Sequence, residues 1–78
     1  MIFNRIKKIL AEILDVDKED ILPETEITIN DRTNALNIAR LIIECERTFK
    51  VTVHDEDVHT FKIVSDLVDY IQKLQSNN

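Results

Sequence analysis

The sequence predicts an all-α fold, a four-helix bundle with a long first crossover loop and a short third helix. Apolar residues recur at three- and four-residue intervals near 2–15, 34–49 and 64–75, which is the spacing of amphipathic helices. A shorter segment near 55–60 opens with acids suited to the first turn of a helix. Because the periodicity fades between the first two helices, a long connection must join them, as in many helical bundles.

Composition and charge fit one small domain spanning residues 1–78. Hydrophobic residues make up 44% and charged residues 32% of the chain, which is typical of a globular protein that folds alone. The net charge is -5 at pH 7 and no Lys or Arg cluster occurs, so the sequence argues against a nucleic-acid partner. No apolar run is long enough for stable membrane insertion. We therefore expect a cytoplasmic monomer.

The first predicted helix carries its apolar residues on one side. Three cations, Arg5, Lys7 and Lys8, lie on the other side, and the helix has no Trp. Membrane-surface helices usually carry more cations and often a Trp anchor, so a helix that faces the core is the better interpretation. The apolar side consists of Ile2, Phe3, Ile6, Ile9, Leu10, Ile13 and Leu14.

The predicted crossover, residues 15–34, reads as one short turn followed by extended chain. Its seven acids and two bases give 2 - 7 = -5, a charge equal to that of the whole protein. An unanchored loop of this length is unusual in a compact domain, so its apolar residues should pin it to the core. These residues are Val16, Ile21, Leu22, Ile27 and Ile29.

Two groups of residues have the residue types of a metal site but not the spacing that such a site requires. The acids of residues 15–26 follow the spacing of a calcium loop, but Asp20 stands where that loop requires a glycine. His54 and His59 are five residues apart and miss the i, i+4 spacing of a helical zinc pair. The sequence therefore predicts surface histidines and no metal site.

The sequence also offers no pair of a nucleophile and a general base, so we do not expect an enzyme.

The second helix carries an apolar surface wider than the stripe of an ordinary surface helix. Thr33 or Asn34 can cap its start, and its lone cysteine, Cys45, should be a buried hydrophobe. Its apolar surface is wide enough that we expect neighbours to cover it from more than one side. The residues of that surface are Leu36, Ile38, Ala39, Leu41, Ile42, Ile43, Cys45 and Phe49.

The end of the chain is predicted to be a connector, a short helix and a last long helix. Residues 50–54 read as extended chain, and Val58 and Phe61 should seal the short helix onto the core. Ser65 or Thr60 is available near the cap of the last helix.

Three segments, taken in order, carry a resemblance to a known family. They read Leu-Ile-Ile-Glu-Cys-Glu-Arg-Thr-Phe-Lys-Val-Thr-Val at 41–53, Asp-Glu-Asp at 55–57 and Ile-Val-Ser-Asp-Leu-Val-Asp-Tyr-Ile at 63–71. This order resembles the second half of an acyl carrier protein, and residues 9–21 match the family's first helix and loop. The resemblance covers nearly the whole chain. It implies a role in fatty-acid or related thioester-based biosynthesis, with partner proteins from an acyl-transfer or lipid-biosynthesis system.

The same resemblance locates a missing hydroxyl. Family members begin the second helix with Gly-Ala-Asp-Ser-Leu, and the Ser receives 4′-phosphopantetheine from coenzyme A. Here the stretch reads Arg32-Thr33-Asn34-Ala35-Leu36, so the resemblance implies that Ala35 occupies the attachment position. A methyl group has no lone pair with which to attack, and the chain as written should carry no cofactor. It would then act as a docking or regulatory module.

The docking end implied by the resemblance consists of Asn34, Leu36, Ile38, Ala39 and Arg40. Residues 34–49 hold two Glu and two Arg, so their net charge is zero. Family partners dock through basic patches, and this helix should attract them weakly. The acidic crossover offers an alternative surface for a basic partner, unless it is simply a solvated loop.

Two alternatives remain open at this point. An engineered serine-to-alanine substitution in a working carrier would explain Ala35 alone, but Arg32 and Asn34 also depart from the family pattern, which favours natural divergence. The chain could instead be a small helical protein that holds an apolar ligand, although close packing explains its many Ile and Leu residues with less assumption.

Overall fold

The computed structural model describes residues 1–27 and 32–76, and the side chains of 1–27 and 35–76. These residues form four α-helices, which are α1 (Ile2–Leu14), α2 (Arg32–Phe49), α3 (Asp55–Val58) and α4 (Val64–Ser76). A short 3-10 helix, Lys18–Asp20, lies in the first connection. The predicted all-α fold, with its long crossover and short third helix, is confirmed. The boundaries differ by up to two residues.

The core draws on every long helix and on the connections between them. Burial of each large aliphatic side chain contributes about 1.5–3 kcal/mol relative to exposure. No charged or polar side chain is buried among the described residues. The buried residues are Ile6, Leu10, Ala11, Ile21, Ile27, Ile38, Leu41, Ile42, Cys45, Phe49, Val53, Phe61, Val64, Leu67 and Ile71.

Both α1 and α2 are followed by a residue in the left-handed conformation. Asp15 has φ 57° and Lys50 has φ 56°. The backbone N–H of Val16 then donates to the Ala11 carbonyl over 3.1 Å, and an equivalent 3.3 Å bond closes α2. Glycine normally takes this position, but the chain contains none, so an aspartate and a lysine end the two helices.

The crossover is held by backbone hydrogen bonds to the segment before α4. The Ile27 N–H donates to the Lys62 carbonyl over 2.9 Å, and the Val64 N–H donates to the Thr25 carbonyl over 2.8 Å. An isolated antiparallel bridge joins the residues between them. These bonds fix the described part of the crossover against the start of α4.

Only part of the predicted side-chain anchoring of the crossover is correct. Ile21 and Ile27 are buried, whereas Val16 and Leu22 are 45% and 49% exposed, and the prediction is wrong for these two residues. Ile29 lies outside the described residues. Because backbone hydrogen bonds already hold the connection, it does not need an anchor at every apolar position.

Tyr70 fastens α3 to α4. Its hydroxyl donates to Asp57 Oδ2 over 2.7 Å and accepts from the His54 N–H over 3.3 Å. Its ring packs edge-on against Phe61, with centroids 5.0 Å apart. Phe61 is buried and Val58 packs against the core, which confirms that these two residues seal the short helix.

The start of α4 is capped by Asp66 rather than by Ser65 or Thr60. Asp66 Oδ2 accepts from the backbone N–H groups of Lys62 at 3.0 Å and Ile63 at 3.1 Å. These two hydrogen bonds stabilise the carboxylate and lower its pKa. The Thr60 hydroxyl instead donates to a carbonyl of α3.

None of the helices formed by residues 1–27 and 32–76 combines the length and apolarity needed to cross a bilayer.

Candidate functional site

Ala35 lies in the first turn of α2, and its side chain is exposed. The helix begins at Arg32, two residues before its predicted start. The predicted cap residues, Thr33 and Asn34, belong to the helix backbone, and their side chains lie outside the described residues. Whatever Ala35 presents to a partner is therefore a methyl group at the accessible end of a long helix.

Most of the predicted docking residues are accessible, but one is not. Leu36 is 64% exposed, and Ala39 and Arg40 are also exposed. Ile38 is 8% exposed and belongs to the hydrophobic core, so it offers a partner little surface. It lies two residues after Leu36 and two before Arg40, which places it on the opposite side of the helix from both. The Asn34 side chain is not described.

Sequence reasoning missed Ile43 as a surface residue. It was expected to be covered together with Leu36 and Ala39, but it is 60% exposed. Ile43 lies seven residues after Leu36 and three after Arg40, which places it on the same helix face as a charged residue. That spacing was the available signal. We call Leu36, Ala39, Arg40 and Ile43 the exposed ridge.

The exposed ridge runs between two grooves. The groove between α2 and α3 has a volume of about 390 Å³. Ala35, Ala39 and Val58 are among its apolar lining residues, and Glu46 and Asp55 are its polar ones. The described part of this lining includes neither a hydroxyl nor a thiol. Its chemistry favours apolar contact and offers no nucleophile.

The second groove lies between α1 and α2 and has a volume of about 460 Å³. Ile9 and Ile13 form its α1 wall together with Glu12, and Ile43 and Arg40 lie on its α2 wall. This groove was not anticipated from the sequence. A side chain from a partner that packs on Ile43 can enter it.

The acids of α2 are engaged within the molecule. Glu44 forms an ion pair with Arg47, one turn further along the helix. Glu46 Oε2 accepts a hydrogen bond of 2.8 Å from the Val53 N–H and so fastens the connector to α2. Among the described side chains, no acid lies within ion-pair distance of Arg40. Among the described side chains of α2, Arg40 is therefore an exposed charge without an ion-pair partner, between the apolar residues of the exposed ridge.

Cys45 is buried, as predicted. Its side chain is fully excluded from solvent, and burial, followed by the nearby charges of Glu44 and Glu46, raises the pKa of its thiol to about 12. The thiol is neutral at physiological pH. It serves as a small core residue rather than a nucleophile.

Neither histidine belongs to a described metal-ligand set. His54 and His59 are both exposed, as predicted. Within the described ranges, no three His, Cys, Asp or Glu side chains are grouped to hold a metal ion.

Comparison with known proteins adds two findings. A family model described as "Phosphopantetheine attachment site" matches residues 4–71. The chain is 36% identical over 77 residues to an acyl carrier protein of Phytoplasma mali (strain AT), covering 99% of this chain and 92% of that protein. It is 34% identical over 73 residues to an acyl carrier protein of Aster yellows witches'-broom phytoplasma (strain AYWB), covering 94% and 96%. It is 35% identical over 69 residues to an acyl carrier protein of Syntrophobacter fumaroxidans (strain DSM 10017 / MPOB), covering 88% of this chain and 85% of that protein.

Proposed function

The chain belongs to the acyl carrier protein family, and we propose that it is a member that docks to protein partners without carrying 4′-phosphopantetheine. Proteins of this family are carriers rather than catalysts, and they work with acyl-transfer and biosynthetic enzymes. We assign this protein to fatty-acid or related thioester-based biosynthesis, as a docking or regulatory module. The proposal includes a monomeric state and a cytoplasmic location.

The exposed methyl group of Ala35 carries this proposal. Ala35 lies at the accessible start of α2. Attachment of the prosthetic group needs an oxygen that attacks the pyrophosphate of coenzyme A, and an alanine supplies none. Ala35 is therefore unsuited to the attachment of 4′-phosphopantetheine.

The exposed ridge supports the docking part of the proposal. Leu36 and Ile43 are 64% and 60% exposed on a helix whose other face is buried in the core. Exposed apolar side chains that cluster on one surface commonly mark a protein-interaction site. Ala35 lies at one end of this surface, so a partner could recognise the family scaffold without using an arm.

The proposal is tested by incubating the purified protein with coenzyme A and a promiscuous phosphopantetheinyl transferase, then measuring its intact mass. We expect no increase in mass. A mass increase that peptide mapping assigns to residues 33–36 would overturn the proposal, because Thr33 or a neighbour would then accept the arm.

Two variants calibrate this experiment. Arg32→Gly, Asn34→Asp and Ala35→Ser together restore three residues of the family stretch, and we expect this triple variant to be modified. Ala35→Ser alone should be modified slowly, because Arg32 and Asn34 still depart from the pattern. Efficient modification of the single variant would instead point to an engineered serine-to-alanine substitution in a working carrier.

A second candidate function is the binding of a free fatty acid or similar apolar ligand. The groove between α2 and α3, about 390 Å³ with mostly aliphatic lining, favours this candidate. Native mass spectrometry of protein purified from cells tests it. A ligand-bound mass is expected if the groove is a binding site, and a consistently bare mass removes the candidate.

A further inference from the structure

We propose that Arg40 selects the partner of the exposed ridge, and that the partner's docking surface is apolar with a carboxylate placed against this arginine. The inference rests on the proposed docking function and names the chemistry of the partner. It assigns to α2 a preference opposite to that of carriers that present acids to basic enzymes.

The first step is geometric. Arg40 lies four residues after Leu36 and three before Ile43, so the three side chains share one face of α2. Both apolar neighbours are more than half exposed. A partner that buries Leu36 and Ile43 also contacts Arg40, which lies between them on the same face.

The second step concerns the charges available within the molecule. Glu44 is paired with Arg47, and Glu46 accepts from the backbone of the connector. Glu12 stands on the opposite wall of the groove between α1 and α2 and forms no ion pair with Arg40. Because a covered charge without a counter-charge is unfavourable, the missing acceptor must come from the partner.

A carboxylate is the group that fits best. It accepts two parallel hydrogen bonds from a guanidinium, and this charge-assisted geometry adds specificity as well as affinity. A lysine or arginine in the same place would put two like charges into a water-poor contact. The net charge of -5 does not attract an acidic partner from a distance, so the selection acts at short range and mainly on the dissociation rate.

Two synthetic helical peptides test the inference on the full chain. They share one leucine stripe, which is flanked by glutamates in one peptide and by lysines in the other. Each is titrated into ¹⁵N-labelled protein, and the amide shifts are followed residue by residue. We expect the glutamate peptide to perturb the amides of residues 36–43. The lysine peptide should perturb the acidic crossover and α3 instead.

Two variants that each remove one positive charge make the test specific. Arg40→Gln should weaken binding of the glutamate peptide to the ridge by about tenfold, the effect of losing one charge-assisted hydrogen bond. Lys73→Gln should change it by less than about twofold, because Lys73 is an exposed residue of α4 and its loss frees no acid beside Arg40. Arg40→Glu should move the lysine peptide onto the ridge.

The outcomes separate this inference from the function on which it rests. Binding of both peptides to the ridge with equal affinity, or equal effects of the two glutamine variants, would overturn the selection by Arg40 and leave docking intact. If neither peptide perturbs residues 36–43, the docking function fails as well. The mass measurement independently tests the absence of the prosthetic group.

Discussion

The exposed ridge of α2 and the junction between α3 and α4 use their side chains in opposite ways. At the junction, Tyr70 and Asp66 direct their oxygens to groups of the same molecule. On the ridge, Leu36 and Ile43 remain open to solvent and Arg40 lacks an ion-pair partner among the described side chains. The junction holds the fold together, whereas the described ridge side chains are exposed to solvent and available to the partner we propose. Stability and binding should therefore respond to different substitutions.

The largest expected effect on stability is that of Leu67→Ala. Leu67 is fully buried in α4, and removing a buried leucine side chain destabilises a protein by about 2–5 kcal/mol. That is a large fraction of the margin of a domain this small. Urea denaturation followed by circular dichroism measures the change, and Leu36→Ala serves as the matched control on the ridge. Equal losses for the two variants would contradict the comparison.

A smaller loss is expected for Tyr70→Phe, which keeps the ring and removes the hydroxyl. Burial and the hydrogen bond to Asp57 raise the pKa of Tyr70, consistent with a neutral hydroxyl that donates to a carboxylate. Loss of one such hydrogen bond costs about 0.5–1.5 kcal/mol. Hydrogen exchange should show faster opening of α3 with little change in α1. Uniformly faster exchange in both helices would mean that Tyr70 does not act locally.

Asp66 should make a modest, pH-dependent contribution. Backbone hydrogen bonds from Lys62 and Ile63 lower its pKa in the folded protein, so folding favours the charged form. The contribution is present at neutral pH and is lost as the pH falls from about 4 through the folded pKa. Denaturation midpoints measured between neutral and acidic pH should fall less steeply for Asp66→Asn than for the unmodified protein. Parallel curves would remove Asp66 as a cap.

The smallest effect on stability is expected on the ridge. Ile43→Ser removes a side chain that is 60% exposed, and such surface changes usually stay within about 0.5 kcal/mol. The same variant should weaken binding of the glutamate peptide, which ¹⁵N titration measures. A variant that binds normally but unfolds more easily would assign Ile43 to the fold instead.

The regular elements of the fold could be predicted because each depends on a local pattern. The three- and four-residue spacing of apolar residues located α1, α2 and α4, and the acids at 55–57 located α3. The bridge between Glu26 and Ile63 could not be predicted, since it joins residues far apart in sequence through backbone atoms that every residue has. The choice of Asp66 over Ser65 as cap likewise depends on where the helix begins.

The candidate site was predictable in its position and less so in its surface. Periodicity shows which residues share a face, but it does not show how many neighbours cover that face. Leu36 and Ile43 are apolar and recur at helical spacing, yet both remain more than half exposed. Ile38 shows the converse case, because it is close in sequence to the exposed ridge and yet is buried in the core. The role of Ala35 stays a prediction until the mass measurement is made.

The left-handed residues after α1 and α2 give this glycine-free chain a reserve of unused stability. A non-glycine residue in that conformation costs roughly 1–2 kcal/mol, with a smaller penalty for aspartate than for lysine. Lys50, at φ 56°, is thus the position where a single change to glycine would return the most. Neither position belongs to the exposed ridge, so a destabilising substitution on the ridge could be offset at a helix end without changing a residue that a partner contacts.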